Sequence, residues 1–213
     1  MAIHALTMPL SPATPVFPGD PPVRFTRHEA ARPWHVTILG FGSHVGTHMD
    51  APRHLLPEGH TIEGYGPERW FGEAVVIPAP GYGEDEAIPA GVLDAVPEGL
   101  LRGRFALLAT GWDVRRQEAN YFLNPWPSEN LARAVLAAGA TLFGIDAANI
   151  DSTRSGADAV HRILLGAATP VVENLTGLTL LPALKPLGAC FAPILLDGCD
   201  GASVRAIAWD LPG

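Results

Sequence analysis

Apolar residues along this chain gather in short runs of strand length, separated by turn-forming residues. Residues 22–29 (PVRFTRHE), 34–42 (WHVTILGFG), 73–78 (EAVVIP), 104–110 (RFALLAT), 141–146 (TLFGID) and 170–174 (PVVEN) read as strands. Near the end, CFAPILL (190–196) and ASVRAIAW (202–209) flank DGCDG, which predicts an antiparallel hairpin. The clearest helix covers 129–138 (ENLARAVLAA), with Ser128 as its N-cap and Gly139 where a C-terminal glycine belongs. A shorter helix is expected over 157–165, before Gly166, and another over 89–95, with Pro89 in its first turn. Strands outnumber helices and alternate with them irregularly. The pattern therefore predicts a mixed α/β domain rather than a strict βαβ repeat. There is no internal repeat, low-complexity tract or linker, so residues 1–213 are expected to form one domain.

Composition narrows the function. The chain is 47% hydrophobic and 17% charged, which suits a packed core, and its 23 Gly and 21 Pro imply many shaped turns. The net charge is −8 with Lys and Arg scattered, so nucleic acid is not an expected partner. No GxGxxG or GxxxxGK[ST] motif supports a nucleotide site. No apolar run is long enough to span a membrane, and the N-terminal residues do not read as a signal peptide. Cys190 and Cys199 form no CxxC, and two thiols in a chain of this size suit a reduced, cytoplasmic protein.

The chemistry concentrates in Ser43–His54, SHVGTHMDAPRH; four of the eight histidines lie between positions 44 and 60. Imidazoles beside a carboxylate suit zinc, manganese or iron. On a helix, His44 and His48 share a face but Asp50 turns away. On a strand, His44, His48, Asp50 and His54 share a face, yet the first two alpha carbons would stand ~13 Å apart. A bend is needed, and Gly46 is the residue that permits one. Pro52 then ends any strand pairing. Further ligands must come from afar. His161 is the only later histidine, and Glu173 lies in an apolar run where a carboxylate is costly to bury unpaired. Alone, Glu173 reads as a strand-end acid; beside the first cluster it reads as a ligand. Asp146 and Asp151 could support the site or close turns. Trp112, Tyr121 and Trp126 could line a pocket or fill a core, His60 reads as a loop residue, and His4, His28 and His35 as structural or exposed.

His44, Gly46, Thr47, His48, Asp50, Pro52 and His54 match the pattern HxGTHxDxPxH in full. In this the chain resembles the putative cyclase family, which includes bacterial kynurenine formamidase and isatin hydrolase. PVFPGDPP (15–22), TGWD (110–113), FGIDAANID (143–151), His161 and VENL (172–175) extend the resemblance over most of the chain. It implies an α/β fold with a twisted, barrel-like mixed β-sheet flanked by helices, in a homodimer or homotetramer. It also implies two divalent metal ions per chain, zinc first and manganese as the alternative. His44, His48 and Asp50 would hold one ion. Asp50 would bridge to a second, held also by His161 and Glu173. His54 would transfer protons from outside the ligand shell. The activity implied is hydrolysis of a small aromatic amide such as N-formylkynurenine by metal-activated water. Opening of a cyclic amide or lactone is the rival within enzymes, and a non-catalytic metal-binding protein the rival outside them. Formamidases of the family carry Trp where this chain has Phe17, which keeps a surface for the substrate's ring and loses the indole N–H.

Overall fold

A computed structural model describes residues 2–29 and 33–212. In chain order the elements are β1 (Ile3–Ala5), β2 (Arg24–Arg27), β3 (Thr37–Gly40), β4 (His48–Asp50), β5 (Phe71–Pro78), β6 (Ala87–Ile88), β7 (Phe105–Ala109), β8 (Trp126–Pro127), α1 (Glu129–Ala137), β9 (Leu142–Ile145), α2 (Ala159–Gly166), β10 (Val171–Glu173), β11 (Pro186–Pro193) and β12 (Gly201–Trp209). The main sheet runs β1-β12-β11-β5-β7-β9-β10-β4, and an added β12–β4 pairing closes seven of its strands into a mixed barrel. Strands β5, β7, β9 and β10 run parallel; β4, β11 and β12 pair antiparallel with their neighbours. β12 spans nine residues, so one of its edges carries both β4, at Gly201–Ser203, and β1, at Ile207–Trp209. This is the mixed α/β, barrel-like architecture the sequence led us to expect.

The parallel strands read as unbroken apolar runs because both their faces are buried. Ala74 and Val76 of β5 with Phe105 and Leu107 of β7 fill the barrel interior. Val75, Ile77, Ala106 and Leu108 of the same strands face outward, beneath Leu131 and Val135 of α1 and Leu164 of α2. Ser128 caps α1 through its Oγ, which accepts from the Leu131 N–H, and Gly139 follows the helix with φ of +83°. α2 has no cap from its own flank. Asp158 at its N-cap makes no side-chain cap bond, and the distant Asp151 carboxylate accepts from the Val160 and His161 N–H groups instead.

Several expectations shift. Residues 89–95 form only a 3-10 turn over Ala90–Leu93, with Pro89 as its cap. α2 begins at Ala159 rather than 157. The C-terminal hairpin forms, but β11 starts at Pro186 and stops at Pro193, leaving Ile194–Leu196 exposed. β2 and β3 pair only with each other, outside the barrel. Ile38, Leu39 and Phe25 of that hairpin are exposed, as are neighbouring Trp34 and Val36.

Candidate metal centre

β4 alternates as a strand must. Met49 points into the barrel, so His48 and Asp50 point out of it. β10 lies beside it in register, with Glu173 opposite His48 and Val171 opposite Asp50. Cross-strand partners project to one side, so His48, Asp50 and Glu173 share the barrel's outer surface. α2 crosses above and lowers His161 onto them. Upstream, the chain turns at Gly46, whose φ is +61°, and this brings His44 beside Asp50. The bend required by the spacing of the two histidines is therefore present.

The distances define two overlapping donor sets. In the first, His44 Nδ1 lies 2.8 Å and His48 Nε2 3.2 Å from Asp50 Oδ1. In the second, His161 Nε2 lies 3.6 Å from Asp50 Oδ2 and 3.5 Å from Glu173 Oε1. His48 Nε2 links the sets at 3.5 Å from Glu173 Oε2. Ligands at ~2.0–2.1 Å from a tetrahedral ion stand roughly 3.3 Å apart, so both sets have the spacing of a closed site. Asp50 is 1% exposed, and its Oδ2 is buried with no hydrogen-bond partner. A buried, unpaired carboxylate oxygen between two histidine-bearing sets suits a bridging ligand.

Neighbouring groups fix the orientation of these donors. His48 Nδ1 donates to the Gly46 carbonyl at 2.8 Å, which leaves Nε2 as the free donor atom. Asp151 Oδ2 accepts from His161 Nδ1 at 2.8 Å and does the same for its Nε2. Asp200 Oδ2 lies 3.1 Å from His44 Nε2, while Asp200 Oδ1 accepts from Ser43 Oγ at 2.8 Å. The Glu173 Oε1 accepts from the Ile150 N–H at 3.0 Å.

Charge is concentrated here. Burial alone would raise the Asp50 carboxyl, but His48, His161 and His44 outweigh it and hold Asp50 well below the usual carboxylate range. Burial opposes a charged His44, yet Asp200 and Asp50 push it up to about 10. The carboxylates thus demand positive charge, which protons or divalent ions can supply. His54 differs: burial, against the pull of Asp50, lowers its value. It sits on the 3-10 turn Pro52–His54, its ring 3.9 Å from that of His44 and 5.7 Å from that of His161. It belongs to neither donor set above, but forms a third grouping with His44 and Asp200.

A cavity of about 290 Å³ opens over the cluster. Phe17 lines it, as does Phe122, whose ring meets Phe17 edge-on at 5.5 Å. The structure therefore brings His44, His48, Asp50, His54, His161, Glu173 and Phe17 to one place. Asp200 and Phe122 escaped sequence reasoning. Asp200 lies inside the turn of a hairpin, where acids are ordinary, and Phe122 in a loop without periodicity. Trp112 and Tyr121 are buried in the layer outside the barrel rather than lining the cavity. Asp146 closes the TGWD turn, accepting from the Thr110 N–H and Oγ1 and the Gly111 N–H.

Comparison with known proteins agrees with this architecture. The profile of a family described as "Putative cyclase" matches residues 4–152. A kynurenine formamidase of Salinibacter ruber is 29% identical over 227 aligned residues, covering 100% of this chain and 99% of that one. Isatin hydrolase A from Ralstonia solanacearum superposes with a TM-score of 0.83 at 24% identity, over 97% of this chain and 91% of its own. A potential metal-dependent hydrolase with cyclase activity superposes with a TM-score of 0.83 at 23% identity, over 100% and 99%. Among the described residues, no helix is long and apolar enough to cross a membrane.

Proposed function

The chain belongs to the putative cyclase family, and from that premise we propose that it is a metal-dependent hydrolase of small aromatic amides, with N-formyl arylamines such as N-formylkynurenine as its first substrates. The observation that carries this reading is Asp50, buried and shared between two histidine-bearing donor sets 3.2–3.6 Å wide. His44, His48 and Asp50 would hold one divalent ion, and Asp50, His161 and Glu173 a second, zinc first and manganese as the alternative. When bound, such ions supply an acidified water and a Lewis acid for a carbonyl oxygen.

The chain's own groups supply the rest. His54 faces the cavity outside both donor sets, and burial lowers its value, so its imidazole is neutral at pH 7 and ready to accept a proton. It would return that proton to the leaving nitrogen as the C–N bond breaks. Aniline-type nitrogens are weakly basic, so late protonation suffices. Phe17 and Phe122 would flank the aromatic ring. Phe17 offers no N–H to the substrate, and that favours a second reading, ring opening of a cyclic amide, by the same groups.

The test is metal analysis joined to two assays. Purified protein should carry near two divalent ions per chain and hydrolyse N-formylkynurenine or isatin. Active protein free of metal would sink the mechanism. A metal-loaded protein inert toward both substrates and toward a wider amide panel would favour a non-catalytic binding role.

A further inference from the structure

Asn174, in the VENL segment, has no role in the reading above. In an extended strand, residue 174 would point into the barrel, as Val172 does. Its φ is instead +57°, a left-handed conformation rare for any side chain but tolerated best by Gly, Asn and Asp. β10 therefore ends one residue earlier, at Glu173, and the Asn174 side chain comes out to line the same cavity as Glu173 and Phe122.

Three bonds lock it there. The Asn174 N–H donates to the Ala147 carbonyl at 2.8 Å, and its carbonyl accepts from Thr47 Oγ1 at 2.6 Å. Its Oδ1 accepts from the Tyr121 hydroxyl at 2.6 Å. Tyr121 is 1% exposed, and a flipped amide would leave its O–H without an acceptor, so the Asn174 amide has one orientation. Nδ2 is then the remaining polar atom. It has no hydrogen-bond partner among the described residues, and it is absent from the buried atoms that lack one. Residue 174 is 7% exposed and the cavity is the space it lines. A strained, over-determined residue that holds one free donor toward a cavity fits ligand binding. Tyr121 also packs on Phe122 at 5.4 Å, which couples the donor to the aromatic wall.

We propose that Asn174 is a substrate-binding residue whose Nδ2 donates to the carbonyl oxygen of an aryl amide seated between Phe17 and Phe122, with Tyr121 and Thr47 as its positioning residues. This rests on the aromatic-amide reading, but its test does not need turnover. Zinc-loaded protein is titrated calorimetrically with acetanilide and with N-ethylaniline, which has CH2 in place of the carbonyl. N174G keeps the left-handed backbone and removes the amide. N174D keeps the acceptor for Tyr121 and replaces the donor. Both should bind acetanilide about 3- to 10-fold more weakly than wild type, the worth of one hydrogen bond. Neither should lose affinity for N-ethylaniline. Y121F frees the amide to turn and should lose about 3-fold for acetanilide alone. Equal losses for both ligands, no loss for either, or a wild type that does not bind acetanilide would overturn the proposal. Melting temperature and zinc content of each variant separate lost binding from lost folding. Absence of hydrolysis in the assays above, with this binding pattern intact, would count against the hydrolase reading alone.

Discussion

Asp151 carries two loads, and replacing it by asparagine should show both. Its carboxylate is 1% exposed and accepts from the Val160 N–H at 2.9 Å, the His161 N–H at 3.0 Å and His161 Nδ1 at 2.8 Å. Asparagine has one acceptor oxygen. If that oxygen takes the His161 side, the NH2 meets the Val160 N–H; if it flips, the NH2 meets two donors on His161. At least one buried donor loses its partner either way, a cost of about 1–3 kcal/mol. For a chain of this length that corresponds to a fall of roughly 2–12 °C in the metal-free melting temperature. The second load is the tilt and tautomer of His161. Loss of a supporting carboxylate typically weakens a metal ligand set by ~10–100-fold, about 1.4–2.7 kcal/mol. Thermal melting of metal-free protein reads the first effect, and chelator competition for zinc reads the second. D151A removes every acceptor and should be worse by both measures. D151N binding zinc as tightly as wild type would refute the reasoning, because His161 would then need no help to present Nε2.

Three other outcomes are expected. H54A should retain its metal and melting temperature but lose at least ~100-fold in turnover, the low end for a missing acid–base group; full activity would remove the proton-transfer role. In G201A, an added Cβ would stand 2.7 Å from His44 Cε1 and 2.9 Å from the Met49 carbonyl oxygen, so either the ring or the β12–β4 seam must move. We expect about 1–3 kcal/mol of lost stability together with weaker zinc binding, and unchanged zinc affinity would show that His44 yields freely. The β2–β3 hairpin exposes Ile38 at 54% and Leu39 at 58%, and carries Arg24 and Arg27 on a chain of net charge −8. A lone two-stranded hairpin is marginal in water, and its charge complements the rest of an identical chain. Light scattering should therefore give a multiple of the monomer mass for wild type and the monomer mass for an I38E/L39E double variant; a monomeric wild type would dismiss self-association through this arm.

What could be read from the sequence follows from how local the cause was. α1 was legible because its cap, apolar face and terminal glycine all lie within its own segment. The central strands were legible because burial on two faces writes a continuous apolar run. The bend at Gly46 was legible because the spacing of His44 and His48 fits no regular element without it. By contrast, β4 is three residues long, too short for an alternating pattern, and exists because β10 and β12 pair with it. The start of α2 depends on Asp151, eight residues before Ala159, rather than on its own flank. Asp200 reaches His44 across 156 positions, a distance no local motif can reveal. Residues 89–95 have an apolar helix-like composition, yet only the 3-10 turn Ala90–Leu93 forms there.

β4 sits at the seam of the barrel, where Asp50 faces Val171 on one side and Gly201 on the other. Both partners are made more than a hundred residues later, so the first histidines wait, unpaired, while most of the chain is synthesised and folds. Contacts of such long range form slowly because loop closure precedes any gain. The seam should be the last part of the ring to become protected in pulsed hydrogen exchange, and early protection of the β4 amides would contradict this order. The donors meet across that same seam, so an ion arriving there acts as a clasp. At a free concentration one hundred times its dissociation constant it would add about 2.7 kcal/mol against reopening. The feature that makes the site slow to assemble is also what would let a bound ion govern how long the barrel stays shut.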